Sequence, residues 1–218
     1  MPFVVRMSKS EDEDYPIIAE KIEIPRGTNI NWDTEIRFED GIQGFITIDR
    51  RYIRLTHGRT IAESYEIALG RRLGFFQRPR NTEFAIYAYR QIITGCSVGG
   101  RFPFVDLEDE KKKEVSTFWN ISLRVDEPEQ LVKEAAVAEG SKITTIYCSK
   151  ALRDRCNLHG ILEQVVCQKL REVPFSEIRS KNVEISNEVI KTFRECGGTS
   201  AIGFDIESFT LGDIRIAK

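Results

Sequence analysis

The segment VSTFWNISLRV, residues 115–125, reads as the best strand in the chain. Its β-branched and aromatic residues suit a pleated, half-buried surface. A lone strand cannot bury its apolar side in water, so this segment demands a sheet around it. Capping signals elsewhere demand helices too. The expected fold class is α+β, a mixed or antiparallel sheet packed with several helices. With 218 residues, 41% of them hydrophobic and 30% charged, residues 20–218 can form a single compact domain with a sizeable core. Residues 1–19, which include SKSEDEDYP, read as a mobile acidic N-terminal arm, because like charges with few apolar anchors stay solvated. Within that arm there is no PPxY, PTAP or YxxL.

Along the rest of the chain, Ile36 and Phe38 alternate, and Asp40-Gly41 signals a turn. Phe45, Ile46 and Ile48 lead on to Tyr52, Ile53 and Leu55. This reads as a hairpin with a long second strand, broken near Arg50-Arg51. Thr60 and Glu63 form a capping box that opens a helix, with apolar members from Ile61 to Leu73 and an end before Pro79. Asn81 caps a second expected helix carrying Phe84, Ile86, Ala88, Ile92 and Ile93, with Gly95 as its stop. Residues 96–114 read as a loop. After the strand at 115–125, Pro128 opens a helix over 127–139 that ends at Gly140. KITTIYCS (142–149) reads as a strand and LHGILEQVVCQKLREV (158–173) as a helix. A strand at 182–186, a helix at 187–196 and a final hairpin over 200–216 complete the expected order.

Charge is distributed unevenly. Between Lys21 and Lys111 every cation is an arginine, and residues 50–90 hold nine arginines against three acids, a balance of +6. The whole chain is at −2, so the remainder is acidic. Arginine's planar fork suits bidentate phosphate contacts and keeps its charge when partly desolvated. The stretch GRRLGFFQRPR, residues 70–80, concentrates this character around Phe75 and Phe76. Those rings suit a lipid interface or stacking on an exposed base. They equally suit a core at a helix end, with the arginines as a solvated rim. An acidic partner is the expectation. Whether it is RNA, lipid headgroups or an acidic protein surface stays open at this level.

Other chemistries find little support. Cys156, His159 and Cys167, with Cys148 upstream, give one close ligand pair where zinc commonly uses two, and on one helix His159 and Cys167 lie more than two turns apart. No metal site is expected. His57 and His159 are the only histidines, and neither sits in a nucleophile elbow. GCSVGG (95–100) lacks the lysine and hydroxyl residue of a phosphate loop. The expectation is a protein without catalytic residues or cofactor. Five scattered cysteines fit a reducing, intracellular compartment. No apolar run approaches the roughly 18–20 residues that span a bilayer.

Residues 44–100 contain a long strand, a helical segment, a basic break with aromatics and a proline, and a second apolar stretch ending in small residues. The end, VIKTFRECGGTSAIGFDIESFTLGDIRI, reads as a helix, a Gly/Ser break and a closing strand pair. In this order of elements the chain resembles the matrix proteins of rhabdoviruses. The resemblance implies a non-enzymatic structural protein of the virion, lying peripherally on the inner face of the envelope and present in the host cytoplasm or nucleus. It would self-associate into a homo-oligomer or polymer, condense the viral nucleoprotein–RNA, meet the anionic membrane surface and drive budding. Arg50, Arg51, Arg54, Arg71, Arg72, Phe75, Phe76, Arg78 and Arg80 are the candidate contact residues for nucleocapsid, membrane or RNA. The rival reading is an RNA-binding viral accessory protein, for example a silencing suppressor, using the same residues.

Overall fold

A computed structural model describes residues 2–9, 16–48, 51–72, 84–137 and 142–217. Its strands are β1 (Phe3–Val5), β2 (Ile17–Lys21), β3 (Glu35–Phe38), β4 (Ile42–Ile48), β5 (Arg51–Leu55), β6 (Arg59–Thr60), β7 (Ala85–Arg90), β8 (Ile92–Val105), β9 (Lys112–Val125), β10 (Lys142–Thr144) and β11 (Phe204–Ile216). Its helices are α1 (Ile61–Leu69), α2 (Pro128–Val137), α3 (Thr145–Asp154), α4 (Leu158–Lys169), α5 (Asn182–Glu195) and α6 (Gly198–Ile202), with a 3-10 helix at Phe175–Lys181. The class is α+β, as expected. Backbone contacts gather the chain into two compact units, Met1–Gln91 with Pro128–Thr144 and Ile92–Glu127 with Thr145–Lys218.

The first unit holds an antiparallel five-stranded sheet in the order β10-β2-β7-β4-β5 and a small sheet β1-β3-β6. One face of the large sheet offers Ile42, Ile46, Ile48, Ile53, Leu55, Ile86 and Ala88. These pack with Val5, Ile36 and Phe38 of the small sheet and with Ile61 and Tyr65 of α1. The opposite face carries Phe45, Tyr87 and Tyr89, all buried, and Tyr52, whose ring has the Lys133 ammonium of α2 at 5.8 Å from its centroid. Gly44 sits where space is shortest. A Cβ there would lie 2.6 Å from both the Phe38 ring and the Tyr87 carbonyl.

Several expectations change in this unit. Of the arm read over residues 1–19, Phe3–Val5 are a strand parallel to β3, and Val5 is fully buried. Ile17, Ile18 and Ala19 are buried in β2. Apolar side chains at those positions find a core, and this outweighs the acidic run between them. Asp40-Gly41 does turn the chain, with Gly41 at φ 75°, but β3 joins the small sheet while β4 pairs with β5 and β7. The helix expected from Asn81 is strand instead. Residues 85–90 form β7, a central strand with Ile86 and Ala88 on one face and Tyr87 and Tyr89 on the other. A strand covered on both faces shows no alternation, so its sequence cannot be told from a buried helix by period alone.

The capping box at Thr60 forms as expected. The Thr60 hydroxyl accepts from the Glu63 amide at 3.2 Å, and the Glu63 carboxylate accepts from the Thr60 amide at 2.8 Å. The Thr60 amide and hydroxyl hold the Glu63 carboxyl below its ordinary value. The helix then ends at Gly70, in the left-handed region at φ 63°, short of the expected Leu73. Thr60→Ala is expected to destabilise this unit by about 1 kcal/mol, read as a lower urea midpoint at unchanged slope.

The second unit is built on a three-stranded antiparallel sheet, β11-β9-β8. The strand expected at 115–125 is the heart of β9. Val115, Trp119, Ile121 and Leu123 are at most 1% exposed and lie on one face. α3 and α4 pack on β8, and α5 on β11. The loop expected at 96–114 is mostly the long β8–β9 hairpin. The glycines that suggested a loop allow close cross-strand approach: a Cβ on Gly99 would lie 2.5 Å from the Thr117 carbonyl. KITTIYCS is strand only to Thr144 and then enters α3. The strand expected at 182–186 is the start of α5, where Ile185, Val189 and Phe193 recur at a spacing of four and are buried. The closing hairpin is α6 followed by one long strand, with a bulge between Leu211 and Asp213.

Candidate functional site

Four of the nine candidate contact residues, Arg51, Arg54, Arg71 and Arg72, lie within the described residues, and all four are exposed. Arg50, Phe75, Phe76, Arg78 and Arg80 lie outside them. Arg51 and Arg54 sit on β5, an edge strand of the five-stranded sheet. Their separation of three places them on opposite faces of that strand. Charged side chains on an edge discourage its unpaired backbone from joining another strand. Arg71 and Arg72 follow the Gly70 cap of α1.

The four differ in what they already hold. Arg54 donates to the Gln43 carbonyl oxygen at 2.6 Å. That oxygen also accepts from the Tyr89 hydroxyl at 2.7 Å, and the Gln43 amide donates to Gln91 at 3.1 Å. Burial pushes the Tyr89 hydroxyl's pKa up, and the Arg54 charge opposes that shift. None of Arg51, Arg54, Arg71 and Arg72 has a carboxylate partner among the described residues. Their positive charge is therefore presented to solvent.

Other arginines of the same run are committed to structure. Arg37 pairs with Glu35 at 2.7 Å, and Arg90 donates from Nε to the Ile17 carbonyl at 3.0 Å. Arg26 and Arg101 are exposed with no partner among the described residues.

The cysteine–histidine constellation is not gathered on a metal. Among the described residues no group of three His, Cys, Asp or Glu side chains is placed to hold one. His159 and Cys167 lie along α4 and reach two backbone carbonyls of the outer strand β8, Gly99 at 3.2 Å and Pro103 at 3.7 Å. Cys156 donates to the Gly198 carbonyl at 3.6 Å. On the other outer strand, β11, Arg179 and Arg194 donate to the carbonyls of Ile214 and Ile206 at 3.1 and 3.2 Å. Side chains thus occupy acceptors of both outer strands, which leaves fewer of them for a foreign strand.

Sequence reading missed a buried ionic cluster. Asp205, 6% exposed, accepts a two-pronged contact from Arg194, at 2.9 Å to Oδ1 and 2.7 Å to Oδ2, and a third from Arg124 at 3.4 Å. An acid inside an apolar run, GFDIESF, was the available signal, since such a residue needs a fixed partner.

No protein-family model matches the chain, and no curated protein matches it in sequence.

Proposed function

We propose that this protein is a non-enzymatic structural protein of matrix type. It attaches peripherally to an anionic membrane surface through arginines of its first unit and self-associates there. The observation that carries the reading is the set of exposed arginines at 51, 54, 71 and 72 with no carboxylate partner among the described residues. Each cation held near an anionic bilayer adds about 1 kcal/mol of attraction. Among the described residues no helix is long and apolar enough to cross a membrane. Self-association, nucleoprotein–RNA condensation and a place in the virion under the envelope rest on the resemblance to rhabdovirus matrix proteins. Two elements that carried that resemblance, a second helix after residue 81 and a closing strand pair, are strands β7–β8 and a single strand β11 here.

A second reading, an RNA-binding accessory protein, draws on Phe118. Its ring is 46% exposed on the central strand of the second unit's sheet, with Arg101 exposed on the neighbouring strand. An exposed ring beside an arginine suits base stacking.

Vesicle flotation with phosphatidylglycerol in phosphatidylcholine, against phosphatidylcholine alone, tests the first reading. The protein is expected to float only with anionic vesicles, in a salt-sensitive way. The Arg71→Ser/Arg72→Ser variant should bind about thirtyfold more weakly. Flotation unchanged in this variant and in Arg51→Ser/Arg54→Ser would sink it. Tight RNA binding that Phe118→Ala weakens, without flotation, would favour the second reading.

A further inference from the structure

A cleft of about 950 Å³ opens in the first unit, lined by residues that the arginine reading does not use. Its inner wall holds Glu20, on β2 and only 2% exposed. One carboxylate oxygen of Glu20 accepts from the Ser8 amide. Among the described residues no cation is paired with it, although Lys142 is its cross-strand neighbour on β10. A carboxylate accepts up to about four hydrogen bonds, and burying one without a cation or a full set of donors is costly. One backbone donor serves it, and its remaining acceptor capacity is left to a donor entering the cleft.

The mouth of the cleft has the opposite character. Arg26 and Lys142 line it, both exposed and neither with a partner among the described residues, and Glu23, also exposed, lines the cleft with them. Arg6 also lines it but is held by Glu39 at 2.9 Å. Two unpaired cations suit one phosphate group. Lys21 also lines the cleft, but it follows Glu20 on β2, so its side chain leaves the sheet on the opposite face from Glu20 and Lys142. Phe84, Ile22, Ile24 and Pro25 supply apolar wall between mouth and floor.

We propose that this cleft binds a small aminophosphate, its ammonium on Glu20 and its phosphate on Arg26 and Lys142. An ammonium carries three N–H donors, which suits a carboxylate already served once by Ser8. The volume is within the ordinary range for a small-molecule site. The same chemistry exists in a free phosphorylated amine and in an aminophospholipid headgroup. This site is separate from the arginines at 51, 54, 71 and 72, so it can stand or fall without the membrane reading.

The probe is phosphoethanolamine, titrated calorimetrically against the full chain, with inorganic phosphate as reference. Phosphoethanolamine is expected to bind at least tenfold more tightly than phosphate. Glu20→Gln should abolish that preference and leave phosphate binding unchanged. Arg26→Ser/Lys142→Ser, made entirely at exposed positions, should lose both ligands. Should Glu20→Gln fail to fold, the double variant decides, and phosphoethanolamine binding retained in it would overturn the proposal. An equal affinity for the two ligands, or a preference that survives Glu20→Gln, would overturn it as well. Flotation with phosphatidylethanolamine in phosphatidylcholine separates the sources. Flotation lost in Glu20→Gln assigns the lipid headgroup, and calorimetric binding without flotation assigns the free phosphorylated amine. Flotation with phosphatidylglycerol should be the same for Glu20→Gln and the unaltered protein, which keeps a failure here distinct from a failure of the arginine reading.

Discussion

Replacing Asp205 by alanine is expected to destabilise the second unit by about 3 kcal/mol, measured as a fall in the urea midpoint of its unfolding. Asp205 is the second residue of β11 and is 6% exposed, so its charge is largely out of water. Arg194 on α5 reaches both its oxygens, at 2.9 and 2.7 Å, and the Ile206 amide donates to Oδ1 at 2.9 Å. Thr199 of α6 adds a hydroxyl at 3.4 Å. One carboxylate thus ties α5 and α6 to the strand. Arg194 is half-exposed, at 52% of its side chain, so water can take over part of its solvation when Asp205 is removed. That holds the cost to the lower part of the range for a broken buried pair. Burial, the largest single influence, raises the Asp205 carboxyl's pKa, but the bonds and charge of Arg194, the Ile206 amide and the Arg124 charge together outweigh it and hold the group below its ordinary value. A depressed carboxyl stabilises the folded state above the unfolded pKa of about 3.9, and the benefit fades as pH falls through the folded value. The gap in stability between the unaltered protein and Asp205→Asn should therefore be full at neutral pH and shrink below about pH 4. A gap that stays constant down to pH 2 would show that Asp205 acts by packing alone.

Trp119→Ala is expected to be the most damaging single change, at about 4 kcal/mol. The indole is fully buried on β9 and stacks on Phe209 of β11 with ring centroids 4.9 Å apart and planes 18° from parallel. Truncation removes the largest fully buried side chain of the core and leaves a void that two paired strands cannot collapse to fill. Trp119→Phe should behave quite differently. It keeps a ring against Phe209, and it removes an indole N–H that has no hydrogen-bond partner among the described residues. An unsatisfied buried donor costs about 1–3 kcal/mol, so deleting it offsets much of the lost volume. A net cost near 1 kcal/mol is expected. Hydrogen exchange across β9 and β11 distinguishes the two variants, with fast exchange throughout both strands for alanine and near-native protection for phenylalanine. Equal damage from both would mean that the indole N–H is satisfied in solution and that volume alone decides.

Local signals in the chain were legible to the degree that their physics is local. The Thr60–Glu63 box could be read because its two hydrogen bonds close within three residues. β9 could be read because one of its faces is buried and the other is wet, so apolar residues recur at every second position. Pro128 marked the start of α2 because its fixed φ and missing N–H suit a first helical turn. The arginines at 51, 54, 71 and 72 could be read as exposed from residue type, since an unpaired guanidinium stays in water. Where burial is two-sided, the period disappears, and β7 passed for a helix. Where glycine serves close strand contact, as at Gly99, it passed for a loop. Only the tertiary structure could say which charges are already spent. Arg90 holds a carbonyl 73 positions away, Arg194 an acid 11 positions on, and Glu20 an amide 12 positions back, while Arg71 and Arg72 hold no carboxylate among the described residues. A sequence fixes what each side chain can do over about one helical turn. Its partner at longer range is set by how strands and helices pack, and no local pattern carries that information.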